Sequence, residues 1–225
     1  MAARHTAAMP DQPPCGCGCA NTFGSKEADD DLKRYRERGP DPTTKALIDA
    51  IVAEGVDGAT LLDIGSGIGA IQIGLLEAGA ARAETVDASA AYVEVARAEA
   101  ERRGIGDRTN GRVGDFAQLA DEVPAADVVT LDRVVCCYSD IDALLAAVTS
   151  HAGRMVGLVY PPPTRLMRTV ARIGNVFTRL FRMDLRFYAH SLAAIEGPLL
   201  AAGFVKHPLK RTLIWQVALY VRSGG

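Results

Sequence analysis

The string Leu61-Leu62-Asp63-Ile64-Gly65-Ser66-Gly67-Ile68-Gly69 constrains the fold of this 225-residue chain more than any other. An apolar run of strand type ends there in three glycines at alternate positions, and a helical pattern opens at Ala70. Glycine tolerates left-handed backbone and lets a large ligand approach the main chain. A strand, glycine loop and helix in this order therefore predict the first βα unit of an open parallel sheet, with a ligand beyond the carboxyl ends of the strands. About twenty residues further on the next strand-like run ends in Asp87, whose carboxylate can accept hydrogen bonds from both hydroxyls of a ribose.

The rest of the chain keeps that rhythm. Short apolar runs at 60–64, 83–86, 112–113, 127–131 and 155–160 predict five strands, the third of them weak, and helical spacing predicts helices at 70–77, 90–103 and 141–149. Ser89 stands ready to cap the second of these helices, and Gly104 to end it. Upstream, helices are expected at 26–37 and from Pro42 to about Gly55, with Asp41 as the capping side chain of the latter. Pro161-Pro162-Pro163 interrupts the alternation and leads into an arginine-rich helix at 164–182; a helix at 192–202 and strands at 204–207 and 213–221 then restore it. The expected architecture is an α/β, doubly wound, mostly parallel seven-stranded sheet of Rossmann type. Its main domain covers 59–225, behind an N-terminal helical cap at 26–58, with a helical lid inserted at 161–190. Residues 1–25 are rich in Cys, Gly and Pro without periodicity and read as a flexible tail.

Composition narrows the partners. With 25 basic and 27 acidic side chains the net charge is -2, which offers no global attraction to nucleic acid and favours a small-molecule acceptor. No apolar run reaches the roughly 18 residues of a membrane span, and no signal-peptide pattern opens the chain, so the cytoplasm is the expected location. Five cysteines, an odd and unevenly placed set, read as thiols or metal ligands rather than as a disulfide framework.

Gly-Ser-Gly-Ile-Gly-Ala also satisfies the dinucleotide pattern, so the glycines alone leave two cofactors open. Asp63, two residues before the first glycine, favours one of them, because a carboxylate there repels a pyrophosphate but can receive an α-ammonium group. With this feature, Asp87 and Gly114-Asp115-Phe116, the chain resembles the class I methyltransferases over about residues 43 to 221. The resemblance implies S-adenosyl-L-methionine as cofactor. It places Asp63, Gly65, Gly67 and Gly69 at the methionine and sugar, Asp87 and Ala88 at the ribose, Asp115 and Phe116 at the adenine, and Asp132 and Arg133 beside the sulfonium.

Methyl transfer from a sulfonium needs positioning more than acid–base help, and a carboxylate or thiolate acceptor needs no proton removed. Tyr138 and Cys137, following the fourth strand, are the candidate catalytic side chains. Tyr160, Arg165, Arg168 and Arg172 are candidate substrate contacts. Arg165, Arg168, Arg172, Arg179, Arg182 and Arg186 share one face of a continuous helix, opposite Leu166, Met167, Val170, Ile173, Val176, Phe177 and Leu180. That arginine face suits an acidic substrate, an anionic membrane surface or plain solvent.

The two-helix cap, the motif after the fourth strand, the arginine-rich insertion and the ending Arg211-Thr212-Leu213-Ile214-Trp215-Gln216-Val217 are similar to those of magnesium-protoporphyrin O-methyltransferases, which esterify a carboxylate; within that motif Cys137 stands where the family has a histidine before Tyr138. Oxygen acceptors lead on this reading. Cys15, Cys17 and Cys19, joined by Cys136 or Cys137, keep a thiol or metalloid acceptor of arsenite-methyltransferase type open, although Arg133 falls where those enzymes have a cysteine. A non-catalytic nucleotide-binding module and a dinucleotide-dependent reductase are the readings from other classes.

Overall fold

The computed structural model describes residues 24–181 and 186–223. Two helices, α1 (Ser25–Arg38) and α2 (Pro42–Ala53), precede β1 (Thr60–Ile64), α3 (Ala70–Glu77), β2 (Arg82–Asp87), α4 (Ala90–Arg102) and β3 (Thr109–Val113). The short α5 (Phe116–Leu119), β4 (Ala126–Asp132), α6 (Ile141–His151), β5 (Ala152–Tyr160), α7 (Arg165–Leu180), α8 (Leu192–Ala201), β6 (Phe204–Arg211) and β7 (Gln216–Arg222) follow.

The strands form one seven-stranded sheet in the order β3-β2-β1-β4-β5-β7-β6. The first five are parallel, and β7 enters antiparallel between β5 and β6. The strand order reverses direction between β1 and β4, and a sheet of this kind opens its ligand crevice there. Both faces of the sheet are covered, so the central strands are apolar throughout instead of alternating. Successive residues of β1 show this: Leu61 joins Leu47, Ile51, Leu75 and Met155 on one face, while Leu62 joins Phe116, Leu144, Val148 and Ile195 on the other. Helix α2 lies on the first face against β5 and β7, and α6 and α8 cover the second.

Three expectations about elements change. Strand β3 runs the full five residues from Thr109, and its weak signal reflects an edge position where most side chains are partly or fully exposed. Strand β7 begins at Gln216, because 212–215 form the turn of the β6–β7 hairpin, held by the Thr212 hydroxyl accepting from the Trp215 backbone N–H at 2.9 Å. Asp41 sits at the start of α2 but makes no capping bond; its carboxylate pairs with Arg133 at 2.8 Å instead. Ser89 does cap α4, accepting from Tyr92 N–H at 3.4 Å.

The largest departure concerns α7. An arginine face opposite an apolar one was expected, yet the helix rests on the protein through a third stripe of mostly small residues. Thr178 is buried, Gly174 packs against Phe187, and the Asn175 side chain holds the Phe187 backbone through two hydrogen bonds of 2.7 and 2.8 Å. The large apolar residues face solvent: Leu166, Val170, Ile173, Val176, Phe177 and Leu180 are all exposed.

Candidate active site

A cavity of about 340 Å³ opens at the carboxyl ends of β1, β2 and β4, roofed by residues of α1 and α2. Its floor is the loop after β1. Gly65, Gly67 and Gly69 have φ values of 66°, 53° and 81°, a left-handed run that side-chain-bearing residues resist. At Gly65 a Cβ would also stand 2.3 Å from Val134 Cγ2, so sterics and conformation both demand glycine there. Gly69 does not line the cavity; it begins α3, and its N–H donates to Ser66 O at 2.9 Å.

Three carboxylates sit at the strand ends facing this cavity. Asp87 is held by two backbone donors, Gly67 N–H to one oxygen at 2.9 Å and Ser89 N–H to the other at 2.8 Å. The loop therefore aims the acid before any ligand arrives. Asp63, 1% exposed, accepts from the Thr130 hydroxyl at 2.6 Å through one oxygen, while its other oxygen is buried without a partner. Burial pushes its pKa up to about 7 against the pull of Thr130, with Asp132 and Asp87 pushing in the same direction. Asp132 accepts from the Thr44 hydroxyl of α2, and burial raises its pKa as well. A cavity ringed by carboxylates, two of them with an unsatisfied oxygen, favours a cation and disfavours a pyrophosphate.

The remaining walls follow from the loops after β3 and β4. Asp115 caps α5, accepting from Ala117 N–H at 3.1 Å, and Phe116 lines the cavity from a buried position with its ring edge-on to His151 at 5.3 Å. The Tyr138 hydroxyl accepts a longer bond of 3.3 Å from the same Ala117 N–H, and Cys137 lies beside it on the wall. Arg133 carries the one left-handed non-glycine backbone among the described residues, at φ 65°. Its guanidinium reaches away from β4 to Asp41 at 2.8 Å and the Thr43 hydroxyl at 3.0 Å, and stacks on Trp215 at 5.3 Å. It thereby ties α2 and the β6–β7 hairpin to the cavity mouth.

Asp63, Gly65, Gly67, Asp87, Ala88, Asp115, Phe116, Asp132, Arg133, Cys137 and Tyr138 are thus brought together. Tyr160 and Arg165, Arg168 and Arg172 are not among the lining residues. Tyr160 is fully buried on the other side of β4, its hydroxyl donating to Glu196 at 3.0 Å and accepting from Gln216 at 2.8 Å, because β5 turns that residue into the face covered by α8. The three arginines lie on the exposed part of α7. Cys15, Cys17 and Cys19 lie outside the described residues, and among the described residues no cluster of His, Cys, Asp and Glu could hold a metal ion. Sequence reasoning missed the roof: Asp31, Arg34, Tyr35 and Thr44 from α1 and α2, and Tyr92 from α4. The Tyr92 hydroxyl donates to Asp31 at 2.6 Å and Arg36 binds the buried Glu99 at 2.7 Å, so α1 is latched to α4 across the mouth. Nothing in the local pattern of Asp31 or Tyr92 distinguishes them from ordinary surface helix positions.

Residues 61–153 match the family model described as a methyltransferase domain. Over that stretch, less than half of its length, the chain is similar to a methyltransferase domain. Its fold is the class I one: magnesium protoporphyrin IX methyltransferase from Synechocystis PCC 6803, solved with bound SAH, superposes with a TM-score of 0.68 at 23% identity, covering 91% of this chain and 97% of that one. The same protein solved with SAM gives 0.65 at 22% identity, covering 91% and 95%. Among curated proteins, the ribosomal protein L11 methyltransferase of Yersinia pseudotuberculosis serotype IB is 32% identical over 123 residues, 53% of this chain and 40% of that protein. The Salmonella newport protein of the same name is 34% identical over 146 residues, 65% and 47%. The chain therefore spans less than half the length of these curated relatives. The family match begins inside β1 and ends at the start of β5, so it embraces every cavity-lining loop after β1 to β4 but neither the roof helices nor α7 and the hairpin.

Proposed function

We propose that this chain is an S-adenosylmethionine-dependent methyltransferase acting on a small-molecule oxygen acceptor, with a carboxylate as the leading acceptor type. The unsatisfied, buried oxygen of Asp63 within a ring of acids carries the cofactor reading. S-adenosylmethionine brings a sulfonium and an α-ammonium where a dinucleotide brings a pyrophosphate, and it supplies the activated methyl carbon. The residues present fit that group. Asp63 receives the ammonium, Asp87 is prealigned for the ribose hydroxyls, and Asp115, Phe116 and Tyr138 enclose the adenine end. The left-handed glycines keep the loop floor flat against the ligand.

For the transfer itself the protein excludes water and fixes the acceptor in line. The roof latched through Tyr92–Asp31 and Arg36–Glu99 serves the first task. A carboxylate acceptor arrives already deprotonated, which suits a wall that offers Tyr138 and Cys137 but no lysine or histidine. Asp132, whose second oxygen lacks a hydrogen bond although Arg133 Nε stands 3.5 Å away, is the group placed to take a proton from a hydroxyl acceptor. Cys137 on the wall, its sulfur 3.8 Å from Cys136 Sγ, favours a soft acceptor as the second reading.

Methyl transfer from isotopically labelled cofactor to a panel of carboxylic acids, phenols, thiols and ribosomal protein tests this. Label released as methanol by mild base marks an ester and supports the carboxylate reading. Base-stable label on the protein substrate, or on thiols alone, overturns it.

A further inference from the structure

Helix α7 presents three distinct faces. At 100° per residue, Met167, Ala171, Gly174 and Thr178 fall on the side that rests on the protein, and with Asn175 at its margin these are the positions at least partly covered. Leu166, Val170, Ile173, Phe177 and Leu180 form an adjoining arc, with Phe177 56% and Leu180 71% exposed. Arg165, Arg168, Arg172 and Arg179 occupy a narrow third arc bordering the apolar one, and none of them makes an ion pair among the described residues. Residues 161–190 hold six arginines and a single acid, Asp184, in a chain whose net charge is -2.

The β6–β7 hairpin adds to this surface. Its strands pair Gln216 with Tyr160, the last residue of β5, so its turn and the start of α7 emerge at the same edge of the sheet, the edge on which the cavity opens. The turn presents Leu213, 86% exposed, and Ile214, next to Lys210 and Arg211.

We infer that α7, helped by the hairpin turn, is a docking element for an anionic lipid bilayer surface, which brings the cavity mouth to the membrane interface. An interfacial helix has this construction: a row of large apolar side chains to enter the acyl boundary, and arginines at its border to meet headgroup phosphates. Charge complementarity selects this occupant. A second copy would bring an equally arginine-rich helix against the first, and a neutral apolar partner would leave the arginines without counter-charge. No helix among the described residues is long and apolar enough to cross a membrane, so the contact is peripheral.

Co-sedimentation of the full chain with phosphatidylcholine vesicles, with and without phosphatidylglycerol, tests the inference without reference to the methyl transfer proposed above. Binding is expected only with phosphatidylglycerol present, and it should weaken as salt shortens the screening length from about 10 Å at 0.1 M to about 3 Å at 1 M. Arg168→Gln with Arg172→Gln should lower partitioning by about 25-fold, a fivefold loss for each cation, or roughly 1 kcal/mol apiece. Val170→Ser with Phe177→Ser should abolish it. Thermal stabilisation by S-adenosylhomocysteine, measured on each variant, shows that the fold and cavity are intact and keeps this test separate from the cofactor reading. No binding by the parent chain, binding unchanged in either variant, or light scattering that shows a dimer broken by the Phe177 change each overturns it.

Discussion

Replacing Asp63 by asparagine should make the empty protein more stable and the site worse, and both effects can be sized. The pKa of Asp63 is pushed up to about 7 by burial, from 3.8 in water, so at pH 8 the ionised group costs the empty fold roughly 4 kcal/mol. The sign follows from a folded pKa above the unfolded one: the favourable contribution is complete below pH 4 and is lost as pH rises through 7. Asparagine keeps the Thr130 hydrogen bond but leaves the second position unpartnered, so about half the cost, ~2 kcal/mol or some 4–8 °C in Tm, should be recovered at pH 8. Binding moves the other way. Loss of a charge-assisted bond to the ammonium should weaken S-adenosylhomocysteine by roughly 2 kcal/mol, about 30-fold. In the parent protein only the ionised acid receives the ammonium, so affinity should fall about 15-fold from pH 7 to pH 5.5, while proton release on binding rises from about half a proton to nearly one. Calorimetric titration in buffers of different ionisation enthalpy reads both quantities. A flat affinity over that range, or an Asp63→Asn variant that binds as tightly as the parent, refutes the placement of the ammonium on this acid.

Gly65→Ala forces a side chain into left-handed backbone 2.3 Å from Val134, and should cost roughly 2–4 kcal/mol, read by urea denaturation, together with cofactor binding. Glu99, fully buried, accepts from Arg36, Arg102 and Arg103, and their hydrogen bonds hold its pKa down to about 2; Glu99→Gln should cost roughly 1–3 kcal/mol at pH 7. Because this carboxylate is depressed in the fold, the gap between variant and parent should narrow as pH falls from 4.5 towards 2. Tyr92→Phe removes the Asp31 latch and should raise the KM for cofactor about 3- to 10-fold while global stability changes by less than about 1 kcal/mol. Equal losses in stability and in cofactor KM would instead make Tyr92 a simple packing residue.

The sheet was legible because its information is local: Leu61 to Gly69 encode strand, loop and helix within nine residues, and Asp87 lies one βα unit away. Strand β3 was half seen because an edge strand buries too little to need an apolar sequence. The roof was invisible because Tyr92–Asp31 and Arg133–Asp41 are pairs 61 and 92 residues apart whose meeting depends on tertiary packing. Helix α7 was legible as amphipathic, but such a pattern says only that an apolar face exists and leaves open whether the protein itself covers it. Tyr160 was read as a substrate contact, yet it ends β5, one strand beyond β4, where Glu196 of α8 and Gln216 of β7 hold its hydroxyl.

The cofactor assignment is tested most directly by calorimetric titration of the purified chain with S-adenosylhomocysteine, beside NADH and the Asp87→Ala variant. One site per chain is expected for the adenosyl compound, no heat with NADH, and loss of binding when the two-point anchor of Asp87 is removed. Binding of NADH in place of the adenosyl compound, or unchanged affinity without the Asp87 carboxylate, contradicts it.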